Sequence, residues 1–164
     1  MDVSDYLDVK PAPYAIFDRL DERRSRPRFM LPNDDGHWDA VTWGAFADEI
    51  RRCALYLDAI GVEQGDFAAI FAPNSIPWLS AAYAVQSAGA AFVPIYASST
   101  GEQAAYVIEH SGARVVFADS QEILERIFAD WDAYDAVEHL VLLGDVDVWQ
   151  ALEASRDEGD GPEW

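Results

Sequence analysis

Four short runs, Phe67–Ala72, Ala90–Ile95, Arg114–Ala118 and His139–Leu143, carry almost unbroken apolar residues over the length of a strand. Between them lie stretches whose apolar residues recur every three or four positions. A strand without polar alternation needs cover on both faces, and segments of helical period supply that cover as crossover connections. The spacing therefore predicts an α/β fold, a mostly parallel sheet with helices on both faces.

The flanking elements follow from the same patterning. Pro13–Arg24 reads as one short helix with Tyr14, Phe17 and Leu20 on one side. Arg28–Leu31 and His37–Thr42 read as strands around Pro32-Asn33-Asp34-Asp35-Gly36, a turn rich in residues that tolerate positive φ, which gives a short β-hairpin ahead of the sheet. From Trp43 to Ile60 the apolar positions Phe46, Ala47, Ile50, Cys53, Ala54 and Leu57 mark an amphipathic helix, capped by Thr42 and ended by Gly61. Ser75–Ala88 reads as a helix apolar nearly all round. Ser99 with Glu102, or Thr100 with Gln103, offers a capping box for a helix reaching about Ser111. Ser120–Trp131 is a helix with Ile123, Leu124, Ile127, Phe128 and Trp131 inward, and Val146–Ala154 a last short one. Residues 1–155 are expected to form one partial α/β subdomain, and 156–164 an acidic flexible tail or linker.

Charge and cysteine content narrow the function classes. Thirty acidic against eleven basic side chains give a formal net charge of −19, and Lys10 is the only lysine. Such a surface repels nucleic-acid phosphates and anionic lipid. Cys53, the single cysteine, excludes an intramolecular disulfide and a thiolate metal cluster, and its place on an apolar helix face reads as an inert core thiol. Met1–Lys10 carries three aspartates and no apolar core of a signal peptide, and no stretch reaches the ~20 apolar residues of a membrane span. The expected location is cytoplasmic.

Ligands of open parallel sheets bind beyond the carboxyl ends of the strands. Those ends are Pro73-Asn74-Ser75, Tyr96–Thr100, Asp119-Ser120 and Gly144-Asp145. Ser98-Ser99-Thr100-Gly101 reads as a helix cap, with anion contact as the alternative; the stretch itself has no Lys or Arg. His37, His110 and His139 do not fall at metal-ligand spacing, no serine sits in a nucleophile elbow, and neither a Walker-type loop nor a dinucleotide fingerprint is present.

Four segments, in order, carry a family resemblance: Val41-Thr42-Trp43-Gly44-Ala45-Phe46, Ala59–Asp66, Pro73-Asn74-Ser75-Ile76-Pro77-Trp78, and Ser87–Tyr96 with its Ala-Gly-Ala and Val-Pro-Ile-Tyr elements. Followed by Thr100–Val107 with Gln103 and Tyr106, this series resembles the N-terminal subdomain of adenylate-forming (AMP-binding) enzymes, most closely the long-chain fatty acyl-CoA synthetases. One departure is Ala45, where the family commonly has a glutamate completing a box with Thr42, a loss of about 0.5–1 kcal/mol.

The resemblance implies a reaction for the full-length parent: a fatty acid attacks Mg·ATP, pyrophosphate leaves, and coenzyme A captures the acyl-adenylate. ATP, Mg²⁺ and coenzyme A are thus implied for the parent and none for this chain. The matching positions are caps, turns and a buried strand, so no catalytic, cofactor-binding or metal residue carries over. The family's lysine-bearing phosphate loop and later motifs have no counterpart in the 164 residues. The resemblance implies a fragment inactive alone, whose partner is the remainder of the synthetase chain or a self-associating copy.

Two other readings stand beside this one. A stand-alone truncated homologue would act as a binding or dimerisation module, with uncovered apolar surface expected on Ile76–Ala88. An unrelated doubly wound protein of receiver or flavodoxin type ranks last, since a receiver needs a lysine late in the chain.

Overall fold

The computed structural model describes residues 10–156. The readings of Met1–Val9 and of the tail from Asp157 onward lie outside the described residues.

The first segment is two turns of helix, α1 (Tyr14–Phe17) and α2 (Leu20–Arg23), where one helix was expected. Arg19 leaves the helical basin at φ −131°, ψ 36°. Helices this short are marginal in water, so the path is set by the two buried anchors, Ile16 and Leu20.

The expected hairpin forms from β1 (Pro27–Pro32) and β2 (Trp38–Thr42), paired antiparallel with Met30 opposite Ala40 and Leu31 opposite Asp39. Its turn is closed by the Asn33 amide donating to the His37 carbonyl at 2.9 Å and the His37 amide donating to Asn33 Oδ1 at 2.8 Å. One face of the ribbon packs inward through Phe29 and Val41, with the Phe29 ring edge-on to Phe46 at 5.0 Å.

Helix α3 (Trp43–Ala59) begins where the Thr42 hydroxyl accepts the Ala45 amide at 3.1 Å and stops at Gly61, whose φ of +77° suits a residue without Cβ. After it come β3 (Phe67–Phe71), α4 (Ile76–Ser87), β4 (Ala91–Ile95), α5 (Gly101–Ser111), β5 (Val115–Ala118), α6 (Gln121–Ala129), β6 (His139–Leu142) and α7 (Val148–Arg156). The four strands β3–β6 are parallel in the order β4-β3-β5-β6.

The unbroken apolar runs are explained by burial on two sides. Ala68, Ile70, Val115 and Phe117 face α3 and α4 on one side of the sheet. Their neighbours Ala69, Phe71, Val116 and Ala118 face α5, α6 and α7 on the other.

Three boundaries differ from expectation. Helix α6 ends at Ala129, because Asp130 turns to φ −112°, and Trp131–Ala133 forms a separate 3₁₀ turn. Helix α7 starts two residues late, where Asp147 Oδ1 accepts the amides of Trp149 and Gln150, and it runs on to Arg156. Helix α4 offers no uncovered apolar face: packed between α3 and strands β3 and β4, it exposes Ser87 alone among its residues.

Candidate functional site

The strand order reverses between β3 and β5, and beside that switch point a cleft of about 620 Å³ opens beyond the carboxyl ends of β3 and β4. Its floor is Ala72, Pro73 and Pro94; Asn74, Trp78 and Tyr96 form its walls. Trp78 is placed by the cap of α4, where Ser75 Oγ accepts the Trp78 amide at 3.1 Å, and its ring meets Phe92 edge-on at 5.8 Å. Tyr96, just past the end of β4, is 85% exposed.

The loop from Tyr96 to Thr100 is fixed at both ends. Of the two capping registers, the structure uses Thr100 with Gln103: Thr100 Oγ1 accepts the Gln103 amide at 3.3 Å, and Gln103 Oε1 accepts the Thr100 amide at 3.1 Å. The Ser99 amide donates to the Tyr96 carbonyl. Arg126, from α6, donates through Nη1 to the carbonyls of Ala97 at 2.8 Å and Ser99 at 2.9 Å, and its Nη2 pairs with Glu122. Sequence spacing gave no sign of Arg126 here, since its partners lie 27 and 29 positions away.

These contacts form the helix cap at Ser98–Gly101. The amides of Ser99, Thr100 and Gln103 already have acceptors, and the nearest guanidinium is occupied by carbonyls and a carboxylate. Among the described residues the lining is mostly apolar and contains no Lys or Arg.

Asp119, at the end of β5, has one carboxylate oxygen buried without a hydrogen-bond partner, and burial raises its carboxyl above the usual range. Gly144 lies so close that a Cβ there would meet the Asp119 carbonyl oxygen at 2.5 Å. Ser120 caps α6 by accepting the Ile123 amide at 3.4 Å. Neither Asp119 nor Gly144 lines the cleft.

The histidines stay apart: His37 in the hairpin turn, His110 stacked on Tyr106 at 5.5 Å in the last turn of α5, and His139 opening β6. Among the described residues no three metal-ligating side chains converge. Cys53 is half-buried in α3, its thiol pushed up to about 11 by burial and then by Glu49, so it stays protonated at neutral pH. A second cleft, of about 370 Å³, lies between α6 and α7 and is acidic through Glu122, Glu125 and Asp130. No described helix is long and apolar enough to cross a membrane.

Known proteins share both the sequence and this geometry. The profile described as AMP-binding enzyme matches residues 17–163. The long-chain-fatty-acid–CoA ligase FadD15 of Mycobacterium bovis is 33% identical over 119 residues, which cover 67% of this chain and 20% of the ligase. Uncharacterized protein Rv1549 of Mycobacterium tuberculosis is 30% identical over 101 residues, 62% of this chain and 55% of that protein. Among solved structures, the anthranilate CoA ligase AuaEII, crystallised with anthranoyl-AMP, superimposes with a TM-score of 0.74 at 20% identity, over 99% of this chain and 30% of that one. The chain thus spans about a fifth of the ligase it resembles, and over that span its four-stranded parallel sheet and hairpin reproduce a fold found in such ligases. On the profile match across most of its length, this chain belongs to the family of AMP-binding enzymes.

Proposed function

We propose that the chain is the N-terminal portion of an ATP-dependent long-chain fatty acid–CoA ligase and does not catalyse the reaction by itself. In that reaction the fatty carboxylate attacks the α-phosphate of ATP with loss of pyrophosphate, and the thiol of coenzyme A then displaces AMP from the acyl-adenylate. The observation that carries the reading is the match of residues 17–163 to the family together with 33% identity to a fatty-acid ligase five times longer than the matched span.

The described residues fit a supporting role. In this reading ATP, Mg²⁺ and coenzyme A are held by the remainder of the ligase chain, the partner of this segment, in keeping with a cleft beyond β3 and β4 that has no Lys or Arg among its described lining residues. What the segment supplies is a rigid sheet whose carboxyl edge is held by the Ser75 and Thr100 caps and the Arg126 clamp. A cytoplasmic location goes with this reading.

A second reading, a stand-alone module that binds a ligase or a copy of itself, is favoured by one observation: the matched segment makes up 55% of an uncharacterised mycobacterial relative. Sequencing the source DNA past codon 164 separates the two. The ligase reading expects an open frame leading to a Thr-Ser-Gly-Thr-Thr-Gly-x-Pro-Lys-Gly-like loop; a stop codon directly after Trp164 overturns it. Purified chain given ATP, Mg²⁺ and palmitate is expected to show no pyrophosphate exchange above a protein-free blank, and exchange that titrates with the chain overturns the claim of inactivity.

A further inference from the structure

Helix α6 is seated on the sheet by Ile123, Leu124 and Ile127, all buried in the second core. Arg126 stands on the flank of that strip, half-buried and next in sequence to the anchor Ile127. Its Nη2 is tied to Glu122 one turn back, so the guanidinium is oriented from within its own helix. Its Nη1 donates to two carbonyls of a single loop, those of Ala97 and Ser99. Two carbonyl oxygens brought to one point repel each other unless a donor lies between them, and Nη1 is that donor. The end of α6 meets the same segment a second time: a Cβ on Gly101, the first residue of α5, would run into the Asp130 carboxylate.

The direction of these carbonyls fixes the direction of the amides that follow them. A trans peptide points its C=O and the next N–H opposite ways, and no described bond is cis. The Ala97 carbonyl, turned to Arg126, therefore turns the Ser98 N–H away from α6. Ala97 and Ser98 line the cleft beyond β3 and β4 whereas Arg126 does not, so this N–H is directed to the cleft side. Among the described residues it has no acceptor. The Ser99 carbonyl turns the Thr100 N–H away in the same manner, and there Gln103 Oε1 accepts it.

We propose that Arg126 is a positioning residue for this cleft: its Nη1 fixes the Tyr96–Ser99 wall in the arrangement that presents the Ser98 N–H to the cavity as a hydrogen-bond donor. Glu122 aims the guanidinium, and α6 carries both. The wall thus takes its position from a helix packed on the core, which holds a group more firmly than a loop holds itself. The capping box at Thr100 secures only the far end of the loop. A donor held in place beforehand spares an occupant the ordering of that loop on binding. The bearing of this wall on acyl-CoA formation rests on the ligase reading; its fixation by Arg126 does not.

The test is amide hydrogen exchange in the purified chain, followed residue by residue by NMR. Arg126→Met is expected to speed exchange at the Ser99 and Thr100 amides about tenfold and to shift the Ser98 resonance, while Ala69 and Ile70 in β3 keep their rates. Because a single nitrogen serves both carbonyls, Arg126→Lys is expected to restore most of that protection. Glu122→Gln, on an exposed side chain, is expected to raise exchange at the same two amides by a smaller factor, and it carries the test if the Met variant does not fold. Unchanged exchange at Ser99 and Thr100 in Arg126→Met, or in Glu122→Gln where the Met variant does not fold, overturns the proposal. So does a Lys variant that behaves like Met, or a rise in β3 as large as in the loop, which would mark a loss of overall stability instead. These measurements involve no ATP, coenzyme A or fatty acid, so they decide the role of Arg126 whether or not the ligase reading holds.

Discussion

Asp119 and Cys53 show how burial sets the chemistry of single side chains in this domain. The Asp119 carboxyl is raised because its charged form loses hydration at the end of β5, and among the described residues it forms no ion pair. A raised carboxyl contributes stability below its unfolded value that is lost as pH rises through the folded one. Asp119→Asn is therefore expected to raise the urea midpoint at neutral pH, with the gain shrinking to nothing as pH falls into the ordinary carboxylate range; a gain that persists in acid would refute this. Cys53 is expected to resist a thiol reagent at neutral pH in the folded chain and to react fully in guanidinium, because the reactive form is the thiolate. Its half-buried place on the helix was readable from helical period. The Asp119 carboxyl was not, since nothing local says that Gly144 will bring β6 against it.

At the level of elements, caps and turns were legible and long-range charge partners were not. Thr42, Ser75, Thr100 and Ser120 all cap the helices they precede, because an N-cap needs only its own hydroxyl and an amide three residues on. Thr100→Ala is expected to cost about 1 kcal/mol by denaturant titration and to loosen the Tyr96–Ser99 wall of the cleft. Arg114 obeys no such local rule. It joins three segments at the amino end of the sheet, donating to Asp66 at 2.7 Å, to the Gly61 carbonyl at 3.1 Å and to Glu138 at 2.7 Å. The Asp66 carboxyl is held below the usual range first by the Glu63 amide and then by Arg114, and that of Glu138 chiefly by Arg114. Lowered carboxyls give stability that is present above the unfolded value and lost as pH falls through the folded one, the reverse of Asp119. Arg114→Gln is expected to lower the midpoint at neutral pH and to flatten its decline in acid; an unchanged acid slope would argue against the pairing.

For the whole molecule, the sheet is shared by two cores, and the alternation along β3 and β5 assigns Phe117 to one and Phe71 to the other. Both rings are fully buried. Phe71→Ala and Phe117→Ala are each expected to cost about 3–5 kcal/mol and to leave a single unfolding transition, since neither face of the sheet persists without the other. Two separate transitions in either variant would show that the faces fold apart. The period-2 pattern needed for this assignment is invisible in the sequence, because every position of the run is apolar; only the covering helices divide it.

The strand order also sets a timetable for synthesis. β4 returns to pair with β3 after a short excursion, Phe67 opposite Ala91, but the other flank of β3 waits for β5, with Ala68 opposite Val115. A chain leaving the ribosome thus holds β3 with one side open until the fifth strand emerges, and the second core has only the part of its floor that β3 and β4 supply until then.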